Sequence, residues 1–231
     1  MPKPFTREEF QTPTGRRRAW RALMIGDHGL LRLFYDNSYE VSRGKVWRTY
    51  QPSPAALARW KKRGIQTVVN LRGDKPDGRF LLEQEACARL GLRLETFQVF
   101  SREPPSKEVL RGARRLFDEI DYPAVMHCKS GADRVGLMST LYLFLHESRP
   151  LDEAMRQLSF RYGHVRHGKT GVIDKVFADY VDYAATKGLE LSSVDGFFDW
   201  VDHVYDPAAT KESFLATWWG NLLVERIFNR E

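Results

Sequence analysis

The feature that most restricts how this chain can fold is a junction near its middle. An unbroken apolar run, Ala124-Val125-Met126, passes through His127 into the loop Cys128-Lys129-Ser130-Gly131-Ala132-Asp133, and helical patterning begins at Arg134. A buried strand that feeds a tight loop and then a helix belongs to a parallel α/β sheet, where ligands bind beyond the carboxyl ends of the strands. The same junction gathers successive backbone N–H groups at a helix N-terminus, whose dipole favours negative charge. Gly131 supplies the backbone freedom that a tight loop requires. The segment therefore predicts an anion cradle.

The flanking sequence repeats the alternation. Tyr39 to Arg48 predicts two short strands turning at Gly44, and Pro54 to Arg63 a helix stopped by Gly64. Ile65 to Leu71 reads as a buried parallel strand, Arg79 to Leu90 as a helix ending at Gly91, and Leu92 to Phe100 as a further strand. Ser106 is a plausible N-cap for a helix to Ile120. Beyond the junction the spacing predicts helices over Arg134–His146, Leu151–Tyr162 and Gly171–Lys187. Together these imply an α/β fold: a mostly parallel central sheet flanked by helices. The expected organisation is a basic N-terminal arm over 1–38, a catalytic domain over 39–190 and a helical C-terminal extension over 191–231 packed on the core.

Composition narrows the setting. The chain has 231 residues, 42% hydrophobic and 29% charged, and no apolar run approaching the length of a membrane span. Its first residues lack the apolar stretch of a secretory signal, so the expected compartment is the cytoplasm. Two cysteines, Cys87 and Cys128, argue against a disulfide framework. A net charge of +6 favours acidic partners. Arginines interleaved with apolar residues between Gly15 and Tyr35, including Leu30, Leu31 and Phe34, suit either a segment packed on the core or a peripheral membrane contact. The aromatic end, with Phe214, Trp218, Trp219 and Phe228, carries the same two readings.

In the cradle each side chain has a task. Cys128 is the candidate nucleophile, a thiolate that would attack phosphorus to form a phosphocysteine. Arg134 offers a planar fork to two phosphate oxygens, which lysine could not match. His127 would orient the loop, while Lys129, Ser130, Gly131 and Ala132 would bind substrate. No cluster has metal-ligand spacing, and no cofactor is expected.

His127-Cys128-Lys129-Ser130-Gly131-Ala132-Asp133-Arg134 resembles the signature of the protein tyrosine phosphatase superfamily, H-C-x5-R, over roughly Tyr39 to Tyr183. The likeness is to its bacterial and atypical dual-specificity branches. It implies the three-layer α/β phosphatase fold and a phosphate-binding P-loop. Two departures stand out. Val135 replaces the serine or threonine that commonly follows the arginine, leaving Ser130 as a substitute hydroxyl. No aspartate lies between Leu92 and Ser106, where most members carry their general acid. Asp133, in the cradle itself, is the expected acid, as its position resembles that of myotubularin lipid phosphatases; Glu103 is the alternative. Arg72, at the carboxyl end of the preceding strand, is a further candidate phosphate ligand, with a structural ion pair to Asp74 or another carboxylate as the competing reading.

Three substrate readings stay open. Phosphotyrosine or dual-specificity protein substrates follow from the resemblance. A phospholipid, phosphoinositide or lipid A phosphatase at an anionic membrane draws on Lys129 and on Arg161, His164, Arg166, His167 and Lys169. A weakly active phosphate-binding module is the third. No nucleic-acid partner is expected. Cys87 could form a protective disulfide with Cys128, or serve only in packing.

Overall fold

The computed structural model describes residues 5–27 and 36–228, with side chains as far as Trp218. Leu30, Leu31, Phe34 and Tyr35 of the basic arm, and the side chains of Trp219 and Phe228, lie outside the described residues. The contacts divide the chain into two compact units, Met1–Val99 with Ile120–Val135 and Phe100–Glu119 with Gly136–Glu231.

The first unit is built on a mixed, mostly parallel sheet flanked by helices, as the strand–helix alternation predicts. Its strands are β1 (Tyr39–Ser42), β2 (Val46–Thr49), β3 (Thr67–Asn70), β4 (Arg93–Thr96) and β5 (Ala124–His127), in the order β1-β2-β5-β3-β4. Only β1 runs antiparallel to its neighbour. β5 lies centrally, and all four of its residues are buried, which is why its sequence is apolar without alternation. The register aligns Thr49 of β2 and Asn70 of β3 with His127, so three strands end level. β4 is shorter than Leu92–Phe100 because its ladder partner β3 stops at Asn70.

Helices α3 (Pro54–Lys62) and α4 (Gly78–Leu90) cover one face through Leu57, Trp60, Ala86 and Cys87 against Val68 and Val125. The amino-terminal helices α1 (Arg7–Gln11) and α2 (Pro13–Arg21), the latter followed by a π-helical turn over Ala22–Gly26, pack on α4 through Phe5, Phe10, Ala19, Leu23, Leu81 and Leu82. A Cβ on Gly78 would lie 2.5 Å from Ala19 Cα, so only glycine lets α2 and α4 approach this closely. Two of the arginines of α2 are tied into this packing. Arg16 pairs with Glu85 at 2.8 Å, and the Arg18 guanidinium lies 4.5 Å from the Phe5 ring centre.

The second unit contains α5 (Lys107–Glu119), most of α6 (Asp133–Leu141) with a π-helical turn over Tyr142–His146, and α7 (Leu151–Ala154), α8 (Val172–Lys187), α9 (Val194–His203) and α10 (Pro207–Phe228). Phe144, Tyr180, Phe197 and Trp200 form its aromatic core, with ring centres 5.0–6.4 Å apart. The single helix expected over Leu151–Tyr162 is instead α7 followed by two 3₁₀ turns, Met155–Gln157 and Phe160–Tyr162. Leu158 and His164 are both buried. The helix stops because Leu158 (φ −97°, ψ 76°) and Ser159 (φ −139°, ψ 158°) leave helical backbone space.

Candidate active site

The loop after β5 is shaped by what holds its carbonyl groups. Leu71 N–H donates to the His127 carbonyl at 3.0 Å and Gln51 N–H to that of Lys129 at 3.3 Å. Asn37 Nδ2 donates to the Ser130 carbonyl at 2.9 Å. Arg48 Nη2 donates to the carbonyls of both Gly131 and Ala132 at 3.0 Å. In a planar trans peptide the carbonyl and the following N–H point in opposite directions. Drawing these carbonyls outward therefore turns the amides of Cys128, Ser130, Gly131, Ala132 and Asp133 the other way, into the arrangement of an anion nest. Gly131 is obligatory twice over. Its φ of 75° is left-handed, and a Cβ would stand 3.0 Å from Thr49 C and Tyr50 N.

Cys128 follows the last residue of β5 and is 2% exposed. Lys129 is half-buried, Ser130 exposed, and Gly131 and Ala132 buried. Asp133 opens α6, whose first turn also holds Arg134; both are half-buried. No described residue of the same unit pairs with the Arg134 guanidinium. Val135 is fully buried. Glu103 is exposed and pairs with Lys211 Nζ at 2.6 Å.

His127 is wholly buried, with Nε2 2.5 Å from Glu83 Oε1 of α4. Arg72 sits where the strand places it, yet its guanidinium is engaged. Nη1 and Nη2 grip the buried Asp27 carboxylate at 2.8 and 3.1 Å, and Nη1 also donates to Gln51 Oε1 at 2.8 Å. The ion-pair partner left open by the sequence is Asp27 rather than Asp74. Arg79 reaches the same carboxylate at 2.9 Å. Cys87 lies in the core of the first unit; burial, and then the Glu83 charge, push its thiol up to about 12, which keeps it protonated and unreactive.

Asn37, Arg48, Gln51, Glu83 and Asp27 support this site and were not found by sequence reasoning. The one available signal was Arg48, a charge inside the otherwise apolar stretch Val46-Trp47 of a predicted strand.

Residues 34–171 match the family described as DSP-PTPase phosphatase fused to NAD+ kinase. The chain belongs to this family. It is thus a cysteine-based phosphatase of the protein tyrosine phosphatase superfamily, in the atypical dual-specificity branch. A relative of the DSP-PTPase chain is the dual specificity protein phosphatase TpbA of Pseudomonas aeruginosa, 28% identical over 163 residues that cover 69% of this chain and 68% of TpbA. The crystal structure of P. aeruginosa TpbA superposes with a TM-score of 0.51 at 20% identity, covering 73% of this chain and 92% of that one. A DUF442 protein of Shewanella putrefaciens CN-32 superposes with a TM-score of 0.50 at 15% identity, covering 62% and 91%. These two structures share the fold. Among the described residues of the DSP-PTPase chain, no helix is long and apolar enough to cross a membrane.

Proposed function

We propose that the chain hydrolyses phosphate monoesters on phosphotyrosine and other phosphorylated protein side chains, through a phosphocysteine at Cys128. The observation that carries this reading is the set of held carbonyls, those of His127 and of Lys129 to Ala132, which turns the amides that follow them the other way; Arg134, which no described residue of the same unit pairs, follows in the first turn of α6. Oxygens of a phosphate seated there accept N–H bonds from the loop and a forked pair from Arg134. The Cys128 thiolate attacks phosphorus opposite the ester oxygen. The P–O bond breaks, its electron pair goes to that oxygen, and Asp133 supplies the proton. In the second step a water oxygen attacks phosphorus, Asp133 takes its proton, and the S–P bond breaks to return the thiolate and free phosphate. Lys129 adds positive charge beside the loop, and Ser130 is the hydroxyl available to the departing sulfur in place of Val135. His127, fixed by Glu83, holds the entry to the loop. Arg72 contributes by bracing Gln51, whose N–H holds the Lys129 carbonyl, instead of binding phosphate itself. In this reading residues 39–190 form the catalytic domain, with 1–38 as an arm and 191–231 as an extension.

The test is a comparison of leaving groups. Cys128→Ser should abolish turnover while retaining phosphopeptide binding. Asp133→Asn should lower turnover of a phosphotyrosine peptide by about 10²–10⁴-fold, but that of nitrophenyl phosphate far less, since nitrophenolate departs without a proton. Equal losses on the two substrates would remove Asp133 as the acid and turn attention to Glu103. Faster release from phosphoinositide or lipid A vesicles than from phosphopeptides would assign a lipid substrate. Release from no ester at all would leave a phosphate-binding module.

A further inference from the structure

The second unit carries a surface that the phosphatase chemistry does not use. From Met155 to Gly171 the chain contains Arg156, Arg161, Arg166 and Lys169 and no carboxylate. In the midst of these cations Phe160 is 83% exposed, and Val165 is 49% exposed. Water gives a large ring no reason to stand outward, and an exposed aromatic encircled by cations marks an interaction site.

The turn is braced from inside its own unit. Buried His164 places Nε2 2.6 Å from Asp174 Oδ2, and Arg166 Nε donates to Asp174 Oδ1 at 2.9 Å. The Arg166 side chain is nonetheless 62% exposed, and no described residue of the unit takes its terminal nitrogens. Trp218 Nε1 donates to the His167 carbonyl at 3.0 Å, and Lys169 Nζ lies 5.5 Å from the Trp218 ring centre. Arg166 and Lys169 are thus held in place before any partner arrives, which lowers the entropy lost on binding. Beside the turn opens a groove of about 810 Å³, floored by Met155, Leu158 and Val181. Arg156, Arg161 and Arg166 of the turn line it as well, opposed by Asp152 and Asp182, so the positive field belongs to the turn's side of the groove.

From this we infer that the Met155–Gly171 turn docks on an anionic phospholipid bilayer, with Phe160 entering the acyl boundary and the flanking cations meeting the head groups. An acidic soluble partner would match the charge but offer nothing to an outward phenyl ring; a bilayer satisfies both. The surface is independent of the catalytic reading, because it includes no cradle residue.

Flotation of the full chain with vesicles tests it. Binding should require phosphatidylglycerol in phosphatidylcholine vesicles and weaken as salt rises. Phe160→Ala should lower the partition coefficient at least about tenfold, and Phe160→Leu should restore most of it. Arg156→Gln and Arg161→Gln should each cost about fivefold. Phe160→Ala should leave hydrolysis of nitrophenyl phosphate without vesicles unchanged, which shows that it still folds. Equal binding to neutral vesicles, or full binding by Phe160→Ala, would overturn the inference. So would capture by polyglutamate that survives Phe160→Ala, which would point to an acidic protein instead.

Discussion

A guanidinium with no solvent exposure is expensive to bury, and Arg48 offsets that cost by donating to two consecutive carbonyls of the cradle. Those two bonds hold the half of the loop for whose carbonyls the backbone of the neighbouring strands supplies no donor. Arg48→Met keeps much of the bulk and removes the donors. The carbonyls of Gly131 and Ala132 would then be free to rotate, taking their amides with them. The expected result is a loss of about 3 kcal/mol in urea unfolding, from two charge-assisted bonds at roughly 1.5 kcal/mol each. A rise in KM for every phosphoester, larger than the fall in kcat, should accompany it. A variant with normal KM would mean that the loop keeps its shape without Arg48.

At the scale of elements, α4 shows how one residue serves two purposes. Asp77 caps the helix by accepting from the backbone N–H groups of Arg79 and Phe80 at 2.9 and 3.1 Å. Burial, the largest single influence on its carboxyl, pushes it upward, but hydrogen bonds from Arg79 and the Phe80 amide, together with the charges of Arg79 and Arg72, hold it below the usual range. A depressed carboxyl stabilises the fold above its unfolded pKa, and that contribution is lost as pH falls through the folded value. Asp77→Ala should therefore cost about 1 kcal/mol at neutral pH from the lost cap, and the gap from the parent should narrow in acid. Thermal midpoints from pH 7 down to the onset of acid unfolding check this. Elements such as α4 were legible in the sequence because their signals are local: Gly91 closes that helix, as Pro54 and Gly64 bound α3. The cap at Asp77 went unread, since the residue sits between Pro76 and Gly78 and reads as loop. Where tertiary demand decided, the sequence was silent: β4 ends where its partner ends, and the run after α7 breaks at Leu158 and Ser159.

Across the whole molecule the same division holds. Cys128, Gly131 and Arg134 lie within seven consecutive residues, so adjacency alone made them a candidate site. Asn37, Arg48, Glu83 and Asp27 lie between 45 and 101 residues ahead of Cys128 in the chain, and no spacing rule connects them to it. Arg72 was placed at the right edge of the sheet, but its partner Asp27 comes from a segment that reads only as basic and apolar. Asp27 also binds Arg79, so its removal takes the counter-ion from Arg72 and leaves Arg79 with Asp77 alone. Asp27→Ala should destabilise the chain by about 3 kcal/mol in urea unfolding, the low end for a broken buried pair. Turnover should fall too, as Gln51 loosens.

The knot around Asp27 means that the signature octet is not portable. Shortening the chain to begin beyond that carboxylate would spare every residue of the octet, yet it would strip Arg72 of its anchor and lay bare the Leu81–Leu82 flank of α4. A minimal catalytic fragment has to start upstream of α1, however dispensable that leader looks on paper.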